Sequence, residues 1–248
     1  MTALLRSELL KVRTVRSWWA YLIVIVLFTA IGVAAEIGSS NADRGTSDFQ
    51  ASLVDIVGVS VLFAIILGIT VITNEFRHGT VTPTFLAEPH RERVIAAKAI
   101  AAVVVAIGFA LLSFAVVVAI AFSWLTIVDA QLHFGDSEIA KHLGQQILVT
   151  VLWALTGVAI GAVVHSQVAA LVGTLIWIFL GEALLVGLFM LLDIDSSAGY
   201  LPFHALDSAD GTGGENLLSY EGGIAVSLGW IALLGAAGIW RTRRRDIS

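Results

Sequence analysis

Glu75 and His78 stand close together in the segment Asn74-Glu75-Phe76-Arg77-His78-Gly79-Thr80, and Glu182 lies inside a long apolar run. A carboxylate beside an imidazole suits a metal pair or a proton relay. Zinc sites draw on three or four protein ligands, however, and the sequence contains no His-Glu-x-x-His. The absence of cysteine removes thiolate ligands, disulfides and a cysteine nucleophile. None of the lysines, Lys11, Lys98 and Lys141, sits in a Gly-x-x-x-x-Gly-Lys-Ser/Thr phosphate-binding loop. An intramembrane hydrolase using Glu75, His78 and Glu182 is one reading, weakened by the distance expected between Glu182 and the other two. The alternative is that Glu75 pairs with Arg77 or a loop neighbour, and that His165 lies at headgroup level. No residue is assigned as catalytic or as a metal ligand.

The elements that must position these groups are membrane helices. Of 248 residues, 58% are hydrophobic and only 13% charged, which does not describe a water-facing surface. A net charge of -5 argues against nucleic acid as a partner, since phosphate recognition needs an extended basic face. Crossing about 30 Å of hydrocarbon takes roughly 20 apolar residues in a helix. Six such runs occur, at about 18–35, 52–73, 99–125, 147–164, 168–192 and 223–240. Each is continuously apolar, whereas barrel strands alternate. The expected fold is therefore an all-α integral membrane protein, one domain of six transmembrane helices.

Charge sets the sidedness. Arg6, Lys11, Arg13 and Arg16 precede the first span, Arg77, Arg91, Arg93 and Lys98 separate the second from the third, and Arg241, Arg243, Arg244 and Arg245 follow the last. The opposite loops hold Arg44 and Lys141 among many acids. The positive-inside rule places both termini in the cytoplasm, as an even number of spans requires.

Between the spans lie two informative segments. Leu5, Leu9, Val12, Val15 and Trp19 recur at helical spacing among the first cations, predicting an amphipathic interfacial helix over 1–17 with Trp18 and Trp19 as its lipid anchor. The segment 74–98 is too long for a tight turn. Thr82 and Pro83 have the form of an N-cap followed by a proline at the first helical position. A short helix from Pro83 to Ala87 follows, stopped at Glu88 by Pro89, which can start the next helix. It would carry Phe85 and Leu86 as protruding apolar groups, a device by which a soluble partner can move two spans. Glu182 is expected on a translocation path or a dimer interface, since intramembrane acids face protein or a wet cavity. Gly157 and Gly161 permit close helix approach and are read as intrachain packing.

The segment Asn74 to Thr80, followed by Leu86-Ala87-Glu88-Pro89-His90-Arg91-Glu92-Arg93 and Ala96-Ala97-Lys98, resembles the loop between spans two and three of bacterial ABC type-2 transporter permeases. Ser7-Glu8-Leu9-Leu10-Lys11-Val12-Arg13-Thr14, Tyr200-Leu201-Pro202 and Arg244-Arg245-Asp246-Ile247 fall at similar positions, so the likeness covers the whole chain. Glu-Phe-Arg-His-Gly-Thr is its most specific part. The resemblance implies a six-helix permease subunit of an ATP-driven exporter in a bacterial cytoplasmic membrane, surrounded by lipid. It further implies a second permease copy or a paralogue as partner, and two ABC ATPase subunits that hold ATP and magnesium. On that resemblance Glu75, Arg77, Gly79, Thr80, Pro83, Phe85 and Leu86 couple to the ATPase, the leader is a connecting helix, and 193–222 contains short re-entrant helices. With no phosphate-binding loop of its own, the chain would leave ATP-driven work to another polypeptide.

Overall fold

In the computed structural model the described residues are 2–14, 17–39, 46–88, 90–129, 131, 133–211 and 217–244. Of the described residues 89% are helical, and none of them forms a strand. Six helical stretches are long and apolar enough to cross a membrane, and they overlap the six runs anticipated from composition.

A first helix, α1 (Thr2–Thr14), precedes α2 (Ser17–Ser39). The second span is α3 (Ser47–Asp55) and α4 (Ser60–Arg77), joined by a 3-10 turn over Ile56–Val59. After the short α5 (Val81–Ala87) come α6 (Arg91–Ile127) and α7 (Ser137–Val164). The fifth span is α8 (Gln167–Ile176) and α9 (Glu182–Leu191), joined by a π-helical turn at Trp177–Gly181. A 3-10 turn at Asp195–Tyr200 and α10 (Pro202–Ser208) lead to α11 (Tyr220–Arg244). The spans outrun the apolar segments because their ends continue as polar helix. At 1.5 Å per residue α6 alone reaches roughly 55 Å, well beyond the hydrocarbon thickness.

Helices α4 and α7 form the centre of the bundle, and glycine is what lets them meet. A Cβ placed on Gly68 would strike the Ala154 carbonyl oxygen, and one on Gly157 would strike that of Ile65. Gly161 approaches Ile69 in the same way, so the Gly-x-x-x-Gly pair packs within the chain. Gly157→Val is expected to push these backbones apart and cost about 1–3 kcal/mol, the range for overpacking. A thermal midpoint in detergent equal to wild type would refute this close contact.

One end of the bundle is basic. There the end of α11 is pinned by Arg243 to Glu92 at 3.3 Å, by the Arg241 guanidinium donating to the Val163 carbonyl at 2.6 Å, and by Arg91 donating to the Thr242 carbonyl. The opposite end carries α3, α10 and the turn before α7, cross-linked by His142 to Asp55 at 3.1 Å and by Gln146 donating to Asp210 at 2.7 Å.

Two local expectations change. Thr80, not Thr82, is the N-cap position of the short helix, which begins at Val81 and puts Pro83 in its third position. The cause is the end of α4: Gly79 takes φ +67 and the Thr80 amide donates to the Glu75 carbonyl at 3.0 Å, a Schellman closure that reverses the chain at once. The anchoring tryptophans also part company. Trp19 is exposed, whereas the Trp18 ring lies 5.8 Å from that of Phe109 in the bundle. Pro89, the expected start of the next helix, lies outside the described residues.

Candidate functional site: a buried ion network beneath a short helix

The site is built where α1, α4 and α6 meet at the basic end. Helix α1 turns Leu9 and Val12 into an apolar cluster with Ile25, Leu67 and Phe109, and the same packing buries Glu8. Lys98 projects from α6 seven residues after Arg91, and Glu75 from the last turns of α4. Lys98 Nζ lies 2.7 Å from Glu8 Oε2 and 2.9 Å from Glu75 Oε1. It also donates to the Val71 carbonyl at 3.2 Å. Lys11 Nζ closes the ring at 2.6 Å from both Glu8 Oε1 and Glu75 Oε1. Two carboxylates and two ammonium groups thus neutralise one another, each carboxylate accepting from both lysines.

Burial decides which members matter most. The side chains of Glu8, Lys98 and Glu75 are 2%, 4% and 8% exposed, while that of Lys11 is 46% exposed. Burial works against the charge on Lys11, but hydrogen bonds and attraction from Glu75 and Glu8 outweigh it and hold its ammonium above the ordinary lysine value. Its stabilising contribution is therefore complete below pH 10.5, and is lost only as pH rises through the higher folded value.

Helix α5 stands directly on this network. Thr84 Oγ1 donates to the Thr80 carbonyl at 3.0 Å and reaches Glu75 Oε1 at 3.4 Å. The Phe85 ring is half-buried, with the Arg91 guanidinium 5.1 Å from its centre. Leu86 is 78% exposed, and Pro83 is exposed as well. Of the two apolar groups expected to protrude, only Leu86 does so.

Arg77 turns away from Glu75 and donates to Gln167 at 3.0 Å, bracing α4 against α8. Glu75 is thus paired with Lys11 and Lys98, and the Arg77 partnership expected from neighbouring positions is replaced by contacts 64 and 23 positions away. The His78 Nδ1 engages the Asn74 carbonyl at 2.9 Å, so it shares no ligand geometry with Glu75. Among the described residues no group of three or more His, Asp or Glu side chains is arranged to hold a metal. His165 is buried in the left-handed conformation that ends α7, its Nε2 3.1 Å from Thr242 Oγ1.

Glu182 occupies a separate, equally closed setting. It is 1% exposed. Its Oε1 accepts from the Phe203 amide at 2.8 Å and the Trp177 indole at 3.2 Å; its Oε2 accepts from the His204 amide at 3.1 Å and meets His204 Nδ1 at 2.6 Å. These are the free amides of the first turn of α10, where Pro202 has none to offer. The π-helical turn brings Trp177 and Glu182 onto the same side, five residues apart. Phe203 then packs on Trp153 of α7 at 5.3 Å between ring centres. Glu182→Gln must turn an amide N–H toward at least one of the three N–H groups of Trp177, Phe203 and His204 that now donate to the carboxylate. An expected loss of about 1.5–3 kcal/mol follows, and an unchanged melting temperature would show that the carboxylate is not the anchor of α10.

Six apolar helices, two of them tied to α1 at one end by a neutral ion network beneath a short helix, define a multi-pass membrane component. The profile of the ABC-2 family transporter proteins matches residues 4–190, three quarters of the chain. The chain belongs to that family: it is a permease component of an ABC transporter, a class that works with ABC ATPase partners. No curated protein matches it closely.

Proposed function

We propose that this chain is the membrane half of an ATP-driven exporter, coupled through α5 to a separate ATPase. The observation that carries the reading is the position of α5: an exposed two-turn helix seated on Glu75, whose carboxylate also holds α1 and α6. A push on Leu86 is delivered through Thr84 and Glu75 to the second and third spans together, because a buried ion network has few alternative arrangements. ATP and magnesium are held by the partner, two copies of which serve a pair of permeases. The basic end faces the cytoplasm of a bacterial cell, a sidedness that the distribution of Arg and Lys supports, and α1 lies along the inner leaflet as the connecting helix. The cofacial permease, a second copy or a paralogue, packs on the sparsely covered fifth span, where Phe179, Leu184 and Leu191 are exposed. Glu182 braces the wall of the translocation path by holding α10 as a re-entrant cap at the far end.

The test is assembly and transport together. Co-expression with an ABC ATPase and gentle extraction are expected to yield a complex whose ATPase rate rises on reconstitution with the permease. Separate elution of the two, under conditions that keep both folded, would defeat the proposal.

A further inference from the structure

The basic end holds a cavity of about 1170 Å³, bordered by α5 and by the ends of α4, α6 and α11. Its cationic walls come from three helices: Arg77 ends α4, Arg91 begins α6, and Arg241 and Arg244 lie in the last turn of α11. No carboxylate lines it among the described residues. The contacts that orient three of these guanidinium groups are to neutral partners. Arg77 bonds to the Gln167 amide oxygen at 3.0 Å, Arg241 bonds to the Val163 carbonyl at 2.6 Å, and Arg244 lies 4.3 Å over the Trp240 ring. They aim the cations without cancelling their charge. Several guanidinium groups lining one cavity suit a phosphate group, whose oxygens accept paired hydrogen bonds from a guanidinium fork.

The walls also say where that phosphate comes from. Val168 at the start of the fifth span is 69% exposed, and Trp240 at the end of the sixth is 57% exposed. Both belong to membrane-spanning helices, so this side of the cavity opens at bilayer level, with an indole where headgroups lie and an apolar strip leading toward the acyl chains. We propose that the cavity binds the phosphate headgroup of an anionic lipid from the surrounding leaflet, with its acyl chains along α8. The inference rests on the six spans and the cavity, and stands whether or not α5 docks an ATPase.

Native mass spectrometry of the purified full chain, equilibrated with equal amounts of phosphatidylglycerol and phosphatidylcholine, provides the test. Wild type is expected to retain phosphatidylglycerol selectively, and R77Q/R244Q to weaken retention about fivefold for each arginine removed. R6Q/R93Q removes two cations outside the cavity and is expected to leave retention unchanged. If the paired glutamines prevent folding, Arg244→Gln alone, at the end of α11, carries the same comparison at about fivefold. Equal retention by wild type and the cavity variant would overturn the proposal, as would an equal loss in the control pair. Displacement of the lipid by millimolar inorganic phosphate would assign the cavity to a free anion instead. Lost ATPase binding with unchanged lipid retention would assign it to an acidic protein surface, and either result rejects the lipid.

Discussion

Lys98→Met is expected to destabilise the folded chain by about 3–5 kcal/mol, the cost of leaving buried charge without its partner. The lysine is 4% exposed and serves Glu8, Glu75 and the Val71 carbonyl at once. Without it, two carboxylates share only Lys11, whose 46% exposure lets water weaken what it can repay. Glu8→Leu alone is expected to have a similar effect, since it leaves Lys98 with one carboxylate in an apolar cluster. Combining the two removes a neutral pair and keeps the Lys11–Glu75 contact at 2.6 Å. The double variant is therefore expected to be less destabilised than the sum of the singles, by an interaction energy of about 0.5–3 kcal/mol. Denaturant or thermal unfolding in detergent measures all three. Strict additivity would mean that the network is not a unit, and a unit is what a coupling element requires.

The second large effect concerns α5 and is expected in association rather than in folding. Leu86 is 78% exposed, so Leu86→Asp disturbs little inside the chain. If α5 seats in a groove of the ATPase, a charge at its tip is placed in the apolar centre of that contact. Truncation of such anchors costs about 2 kcal/mol or more, which corresponds to an affinity loss of about 30-fold. Phe85→Asp makes the instructive contrast. That ring lies under Arg91, is half-buried, and lines a small crevice with Ile72, Phe76 and Val94, so its replacement is expected to lower the stability of the permease itself. Affinity measured alongside thermal midpoint separates the two. A Leu86→Asp permease that binds its ATPase as wild type does would place the docking surface elsewhere.

The spans were legible because a 20-residue apolar run in lipid has few alternatives to helix. The short helix was legible from Gly79 and from the proline that follows. Its start was misplaced by two residues because Pro83 suggests a first helical position, whereas the chain had already been turned by the Schellman closure between Glu75 and Thr80. What single-chain reading missed is the set of partners. Glu8 and Lys11, three residues apart, could be read as a surface pair on an amphipathic leader, and Lys98 as an ordinary cytoplasmic flank. Only packing shows that these groups converge with Glu75 in the interior. Glu182 behaved similarly: its position marked it as costly, but its partners lie 21 and 22 residues later, on a seven-residue helix that periodicity could not find. Polar groups in membrane bundles find their satisfaction across the fold, and sequence spacing records only satisfaction within one helix.

A photoreactive amino acid placed at position 86, in cells that also contain the candidate ABC ATPase, tests the central claim most directly. The account predicts a light-dependent cross-link to the ATPase from position 86, and none from Leu184, which is also exposed but lies on the fifth span. Cross-linking from position 86 to lipid alone, with the ATPase bound but untouched, would contradict it.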